Sequence, residues 1–253
     1  LHPALAVLER SYYHSASGFI LVAIPLFSLM AHLLTVGDVT RRAFIACQAW
    51  IGHARGGLAM AAVGASVLLA ALIGSSTAST AAMATAGFPE MRRYGYSDKL
   101  AAAVVSVGGT LAVVVPPSIV LVVYGVLTET SIGSLFIAGI VPGLLTALGL
   151  IAVVRFTAVT TDQAPKGPPF QFRRAVRESS HIWPISILIV LVIGAIYGGL
   201  ASPSEAAAFG VLGALVLGVA QRTINATGFS RAVSSAIKST VMIVAIIACS
   251  AIF

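Results

Sequence analysis

A run of small polar residues, Gly74–Thr80, interrupts an otherwise apolar part of the chain, and the flanking segments 57–73 and 81–88 carry no charge. In hydrocarbon, a backbone that leaves its helix exposes unpaired N–H and C=O groups, so such an opening is tolerated only where it is buried in protein or lines a cavity. The run supplies flexibility together with hydroxyl and carbonyl oxygens. We therefore expect it to be the tip of a membrane hairpin whose oxygens hold a ligand. The alternative is one long tilted span with a Gly/Ser kink, since glycine is common in membrane helices.

A second opening is predicted at Pro116-Pro117, inside the apolar stretch 100–127. Neither proline has an N–H, so the carbonyls of Ala112 and Val113, four residues earlier, lose their helical partners. A proline also disfavours the α conformation of the residue before it. We expect the helix to unwind here, near the middle of the membrane. A simple proline kink is the alternative, because such kinks occur in ordinary membrane helices.

The oxygens at these two openings suit a hard cation such as sodium. In transporters that combine a hairpin with a broken helix, half-helix N-termini face anionic groups, while unwound carbonyls and helix C-termini coordinate sodium. Neither opening has an Asp, Glu, Lys, Arg or His close to it in sequence, which argues against a proton relay. Sodium coupling is therefore predicted, with no cofactor and no other metal ion. The hydroxyls available are those of Ser75, Ser76, Thr77, Ser79, Thr80, Thr110 and Ser118.

Composition predicts the environment of these openings. The 253 residues are 58% hydrophobic and 9% charged, whereas soluble domains carry about 25% charged residues. Several apolar runs reach the roughly 20 residues that a transmembrane helix needs. We expect an all-α polytopic membrane protein. Cys47 and Cys249 are far apart and suggest neither a disulfide framework nor a metal site.

An intramembrane hydrolase would need a nucleophile paired with a general base. The tip lacks the Gly-x-Ser-x-Gly pattern of a nucleophile elbow. His32 and His53 are expected at or near the cytoplasmic face, and His181 follows a basic loop, so none is expected at the depth of the tip. The sequence therefore predicts a protein that is not an enzyme.

Five segments are expected along the chain. Residues 1–56 contain a span, Gly18–Leu34, and an interfacial arm helix with Asp38 as its N-cap. Residues 57–99 form a hairpin facing the cytoplasm, whose second arm, Ala81–Phe88, ends at Pro89-Glu90 and is too short to cross the membrane. Residues 100–154 hold the broken helix and a span from Ile132 to Val154.

The remaining segments are a polar cytoplasmic loop at 155–181 and further scaffold or linking spans at 182–253. The predicted spans are 182–200, 206–220 and one that begins at Thr240. Ser202-Pro203-Ser204-Glu205 has the pattern of an N-cap, a first-turn proline and a capping-box glutamate. Because the chain begins with leucine and stops in an apolar run at Phe253, we expect it to be part of a longer protein.

The positions of the cations predict how the chain is threaded. If the hairpin returns to its own side, the segments 35–56, 90–99, 155–181 and 222–238 share one face and hold 14 of the 15 Lys and Arg residues. Only Arg10 is an exception. The positive-inside rule makes that face cytoplasmic. This distribution also explains the net charge of +7 without a nucleic-acid partner.

Several short motifs follow one another along the chain. In order, they are Arg55-Gly56-Gly57-Leu58-Ala59, Gly74-Ser75-Ser76-Thr77-Ala78-Ser79-Thr80, Pro89-Glu90-Met91-Arg92-Arg93-Tyr94-Gly95-Tyr96, Gly109-Thr110, Pro116-Pro117-Ser118-Ile119, Tyr124-Gly125, Thr130-Ser131-Ile132-Gly133, Ala138-Gly139-Ile140-Val141-Pro142-Gly143 and Pro203-Ser204-Glu205-Ala206-Ala207-Ala208. Together they resemble the large membrane subunit, of DctM type, of tripartite ATP-independent periplasmic (TRAP) transporters. The resemblance extends from about Gly18 to the end of the chain.

The resemblance implies a sodium-driven elevator importer of small organic acids in the bacterial inner membrane. A periplasmic binding protein and a small membrane subunit would be its partners. The chain would be one half of an inverted-repeat fold, so it should not transport alone. The sodium- and substrate-binding residues implied are Gly74, Ser75, Ser76, Thr77, Ser79, Thr80, Gly109, Thr110, Ala112, Val113, Pro116, Pro117 and Ser118.

Two alternatives remain at this point. One is a divalent-anion/sodium symporter, which uses similar hairpins without a binding protein. The other is a structural membrane fragment with no activity.

Overall fold

The computed structural model describes residues 19–161, 164–165, 167, 169–180 and 182–250. Gly18, His181, Phe253 and the cations Arg10 and Lys166 lie outside these ranges. All regular elements in the described ranges are helical. After a 3-10 turn at Phe19–Val22 they are α1 (Ala23–Val36), α2 (Val39–Ile51), α3 (Gly57–Ile73), α4 (Ser76–Arg93), α5 (Asp98–Val114), α6 (Ile119–Leu127), α7 (Ile132–Thr160), α8 (Phe172–Ser179), α9 (Trp183–Tyr197), α10 (Pro203–Ala220) and α11 (Ala226–Ser250).

Several of these helices are long and apolar enough to cross a membrane. By length and composition, the described residues contain 4 such segments: Asp98–Leu127, Ile132–Thr160, Pro203–Ala220 and Ala226–Ile247. Helices α1 and α2 qualify only as a pair, bent by 67° at the Gly37-Asp38 turn. The predicted all-α polytopic membrane protein is therefore confirmed.

Helix α3 is the centre of the packing. It is apolar on all sides, most of its residues are buried, and it contacts α1, α2, α4, α5 and α7. Such a helix is stable only when it is surrounded. Its start is pressed against α7, because a Cβ on Gly56, whose φ is +75°, would lie 2.4 Å from the Cβ of Ala158. The hairpin is therefore embedded among other helices.

Tyr96 closes the open end of the hairpin formed by α3 and α4. It lies in the turn after α4, it is buried, and its hydroxyl accepts the N–H of Leu58 at 3.2 Å. Leu58 is in the first turn of α3, where N–H groups have no intrahelical acceptor. The bond brings the beginning of α3 to the end of α4, so both arms of the hairpin finish at the same end of the molecule.

The second arm is longer than predicted. Helix α4 starts at Ser76 and continues through Pro89 to Arg93, so the expected arm Ala81–Phe88 with a stop at Pro89-Glu90 is wrong. Proline removes only the bond to the carbonyl four residues earlier, that of Thr85. Thr85 and Pro89 are both exposed near the end of the helix, where water can hydrate that carbonyl. The two arms are therefore similar in length, about 26 Å each.

Two predicted helix boundaries at charged residues are also wrong. Helix α7 runs past Arg155 to Thr160, and α11 begins at Ala226, so Arg231 and Lys238 lie in a helix and no new span begins at Thr240. Arginine and lysine are good helix formers, and their long side chains reach polar surroundings from within a helix. The polar segment 155–181 likewise contains a helix, α8.

The predictions for the helix caps had opposite outcomes. Helix α2 begins after Asp38 as expected, but Asp38 has φ +60° and its carboxylate makes no capping hydrogen bond. The capping box at α10 is confirmed. The Ser202 hydroxyl accepts the N–H of Glu205 at 3.3 Å, and the Glu205 carboxylate accepts the N–H of Ser202 at 2.7 Å.

The basic segments converge at the same end of the molecule as the open end of the hairpin. Helix α2 packs against α4 and α8. Arg42 donates to the side-chain oxygen of Gln221, which follows α10, and Trp50 donates to the hydroxyl of Ser179 in α8 at 2.7 Å. Helix α2 thus lies beside α4, α8 and the residue that precedes the segment 222–238.

Replacing Tyr96 with Phe should lower the free energy of unfolding by about 1–3 kcal/mol, because the N–H of Leu58 is then buried without an acceptor. Burial raises the pKa of the Tyr96 phenol, and its bonds with the N–H groups of Leu58 and Ala59 oppose that shift. A raised pKa stabilises the fold below the ordinary tyrosine value of about 10, and that stabilisation is lost as pH rises through the folded value. Thermal unfolding in detergent against pH measures both effects.

The exposed Tyr94 provides the control. Tyr94→Phe should leave the unfolding temperature and its alkaline decline unchanged. Equal behaviour of the two variants would contradict a capping role for Tyr96.

Candidate functional site

The hairpin tip is in direct contact with the break between α5 and α6. The carbonyl of Gly74 accepts the backbone N–H of Ile119 at 3.1 Å. Gly74 has φ +59°, a conformation that glycine adopts without strain, and a Cβ there would lie 2.7 Å from the carbonyl oxygen of Pro117. Glycine is therefore required at this position both by the backbone conformation and by the space available.

The break lies where the two prolines predict it. Helix α5 ends at Val114 and α6 begins at Ile119. One of the two carbonyls expected to be free is not, because the Ser118 hydroxyl donates to the Val113 carbonyl at 2.7 Å. Ser118 is buried and so satisfies both its own hydroxyl and a carbonyl that Pro117 leaves without a partner. Ser118 is thus a structural clamp across the break.

Both arms of the hairpin approach the first half of the broken helix, α5, at glycine residues. A Cβ on Gly109 would lie 1.8 Å from the hydroxyl oxygen of Thr80, and one on Gly108 would lie 2.7 Å from that of Ser66. These glycines allow α5 to lie directly against α4 and α3. The predicted residues Thr80 and Gly109 are therefore in contact.

A second pair of glycines forms the opposite wall of the break. A Cβ on Gly139 would lie 2.7 Å from the carbonyl oxygen of Val114, and one on Gly143 would lie 2.9 Å from the side chain of Val115. Both belong to α7. Sequence reasoning did not assign them to the site, although small residues four apart are a known signal for close helix packing in membranes.

The tip hydroxyls differ in their surroundings. The Ser75 and Thr77 hydroxyls are 3.1 Å apart, Ser76 is half-buried and Thr77 is exposed. Ser79 is 0% exposed, and its hydroxyl has no hydrogen-bond partner. A buried polar group without a partner is destabilising, so the Ser79 oxygen is available to a ligand that enters the tip.

One predicted residue is not brought to the junction. Thr110 is exposed and donates its hydroxyl to the Val107 carbonyl one turn earlier, at 2.7 Å. Ala112, Pro116 and Pro117 are buried within or beside the break. The residues that form the junction are therefore those of the tip together with Gly109 and the segment from Val113 to Ile119.

Four helix ends meet at the junction. Helices α3 and α5 end there, whereas α4 and α6 begin there. Helix C-termini carry partial negative charge and N-termini carry partial positive charge. The N-terminal N–H groups also lack intrahelical acceptors and are suited to bind anions. The junction can thus attract a cation and an anion without a charged side chain.

Comparison with known proteins identifies the family. The sequence model of the family described as the DctM component of the tripartite ATP-independent periplasmic transporter matches residues 2–253. The chain belongs to the DctM family. This confirms the resemblance found in the sequence motifs and places the chain in the bacterial inner membrane.

Three relatives show how far the similarity extends. The C4-dicarboxylate TRAP transporter large permease protein DctM of Pseudomonas aeruginosa is 39% identical over 248 residues, which is 97% of this chain and 58% of that protein. The ectoine/5-hydroxyectoine permease UehC of Ruegeria pomeroyi is 38% identical over 201 residues, 79% of this chain and 46% of the relative. The isethionate permease DctMQ of Oleidesulfovibrio alaskensis is 33% identical over 247 residues, 95% of this chain and 38% of the relative.

These DctM relatives are named as transporter permeases and not as enzymes, in agreement with the prediction from the sequence. The chain spans about half the length of the curated relatives it matches.

In this DctM-family chain, Gly109→Ala should disrupt the contact between α5 and α4. The added methyl group has no space beside Thr80, and overpacking of this kind costs about 1–3 kcal/mol. Gly149→Ala in α7 is a matched control, since nothing lies within 4 Å of a Cβ at that position. In thermal unfolding in detergent, Gly109→Ala should unfold at a lower temperature than the unchanged protein. The unfolding temperature of Gly149→Ala should not be lowered. Equal stability of both variants would contradict the close packing.

Proposed function

We propose that this DctM-family chain forms part of the large membrane subunit of a sodium-coupled transporter that imports small organic acids. The observation that carries the proposal is the junction of hairpin tip and helix break at Gly74 and Ile119. It is the arrangement that places helix ends and backbone oxygens at a binding site in secondary transporters.

The hairpin is proposed to be re-entrant. The break that meets its tip lies inside the 30-residue segment Asp98–Leu127, after the 17 residues of α5 and before the 9 residues of α6. A tip at that depth lies within the membrane, about 25 Å from the beginning of α5. Both arms finish among the basic segments, and the positive-inside rule makes that end cytoplasmic.

Sodium is proposed to bind among neutral oxygens at the tip and the break. Hard cations prefer oxygen ligands, and the unpaired Ser79 hydroxyl is a buried oxygen that a bound ion would satisfy. Ser75 and Ser76, in the same turn, are half-buried and can contribute hydroxyls or carbonyls. The C-terminal ends of α3 and α5 add partial negative charge.

The substrate is proposed to be a small carboxylate or similar organic acid. Its anionic group would lie against the first turns of α4 and α6, where free N–H groups and helix dipoles favour negative charge. The relatives are named for C4-dicarboxylate and isethionate transport, and both of these compounds are anions.

Since the chain spans about half of its relatives, we propose that an inverted second half completes the site. The partners proposed are a small membrane subunit and a periplasmic binding protein that delivers the substrate. Transport would follow an elevator mechanism, in which the hairpin and the broken helix move together against the other helices. The contacts of Gly74 with the segment 117–119 and of Thr80 with Gly109 support a common moving unit.

Uptake of labelled organic acids into proteoliposomes tests this function. The complete large subunit would be reconstituted with its small subunit and binding protein, with and without a sodium gradient. Uptake should require both sodium and the binding protein and should be lost in Ser75→Ala or Ser76→Ala. Uptake without the binding protein would favour the stand-alone symporter, and sodium-independent uptake would contradict coordination at the tip.

Ser79→Ala separates binding from folding. The unfolding temperature should stay unchanged or rise, because removing an unpaired buried hydroxyl removes an unfavourable group. Sodium-dependent uptake should fall at least about tenfold, as expected when one ligand worth about 1.4 kcal/mol is lost. Thr146→Ala, on an exposed part of α7, is the control and should retain uptake. Full uptake by Ser79→Ala would exclude this hydroxyl from the site.

A further inference from the structure

Helix α8 is fastened to the arm helix α2 along one face only. Ala175 is fully buried, and the hydroxyl of Ser179 accepts the indole N–H of Trp50 at 2.7 Å. These two residues are one turn apart and face α2, which α8 contacts. The remaining faces of α8 are open over the described part of the chain.

An exposed apolar patch lies beside this attachment. It consists of Trp50, Phe170, Phe172 and Val176, which are 44%, 45%, 64% and 48% exposed. The Trp50 ring lies 6.2 Å from Phe172, edge to face, and 6.3 Å from Phe170. Tryptophan with other apolar side chains at the end of a membrane helix is typical of the membrane–water interface.

Two arginines follow the patch around the helix. At about 100° per residue, Arg173 and Arg177 lie on the side of Phe172 and Val176 that faces away from the buried Ala175. Arg177 is exposed and forms an ion pair with the half-buried Glu178 at 3.6 Å. Arg174 is on the other side and lines a groove with Arg41 and Glu90. Helix α8 therefore keeps a surplus of positive charge beside an apolar surface.

We propose that this surface binds an anionic phospholipid of the surrounding bilayer. The acyl chains would pack against Trp50, Phe172 and Val176, while Arg173 and Arg177 would donate to the phosphate and the acidic headgroup. An amphipathic basic helix lies in the interface in this way and is attracted to anionic lipid. Charge complementarity and the apolar patch together favour a lipid over a free anion, because a free anion would not bury the apolar side chains.

The lipid site would stabilise the position of the arm helix. Helix α2 packs against α3 and α4, the two arms of the hairpin. A lipid of the bilayer bound to α8 would therefore hold α2, and with it the open end of the hairpin, at a fixed depth in the membrane. This role concerns the cytoplasmic end of the molecule and is separate from the ligand at the hairpin tip.

Fluorescence quenching by brominated lipids tests the proposal. The chain has two tryptophans, Trp50 and Trp183. Trp183→Phe, together with replacement by phenylalanine of any tryptophan in the rest of the complete protein, leaves Trp50 as the reporter beside α8. The complete protein with these substitutions would be placed in vesicles of phosphatidylcholine and phosphatidylglycerol, with one lipid brominated at a time. At equal mole fraction, brominated phosphatidylglycerol should quench Trp50 at least about twofold more strongly than brominated phosphatidylcholine, because the cations enrich anionic lipid locally.

The preference should disappear in Arg173→Gln/Arg177→Gln, while quenching by brominated phosphatidylcholine persists and shows that Trp50 still contacts the bilayer. Arg231→Gln/Lys238→Gln removes two exposed cations from α11 and should keep the preference. Equal quenching by both lipids in the reporter protein would overturn the proposal. So would a preference that survives the α8 substitutions, or no quenching by either lipid, which would mean that protein covers the patch.

Discussion

Ile119 donates its backbone N–H to the carbonyl of Gly74, and this bond joins the hairpin tip to the break between α5 and α6. Pro116 and Pro117 have no N–H to donate. The hydrogen bond to the tip is instead made by Ile119, the second residue after the prolines. In an apolar environment both openings would leave polar backbone groups without partners. The two interruptions are compatible with a membrane because the carbonyl left free at the tip and the N–H left free at the break form a hydrogen bond with each other.

Close approach of these segments depends on residues without side chains. Gly74 meets Pro117 from the tip, Gly109 admits Thr80 from α4, and Gly139 in α7 lies against the Val114 carbonyl. Protein interiors are close-packed, so an added methyl group at such a contact must displace its neighbour. Small residues therefore fix the geometry in which four helix ends converge. The same geometry places neutral oxygens and free N–H groups at the junction.

Much of this could be predicted from the sequence, because proline and glycine have local effects. Pro116-Pro117 placed the break correctly, and Ser202 with Glu205 placed a helix start correctly. Pro89 was misleading, since a proline near an exposed helix end costs only one bond that water replaces. The helix boundaries predicted at Arg155 and near Lys238 were wrong because a charged residue does not end a helix. The hydrogen bond between Tyr96 and Leu58 joins residues far apart in sequence, which no local pattern specifies. The bond from Ser118 to Val113 depends on the backbone path through the break. The spacing of Gly139 and Gly143 indicates close packing but does not identify the segment that packs there.

The tip and the break are proposed to form one sodium-binding unit. Hydrogen exchange of the complete subunit in lipid nanodiscs, compared in sodium and in potassium without substrate, tests this proposal. Exchange of peptides covering residues 74–80 and 112–122 should slow together in sodium and stay fast in potassium, while exchange in α10 stays the same. No difference between the two salts, or protection of only one of the two segments, would contradict joint binding of sodium by the tip and the break.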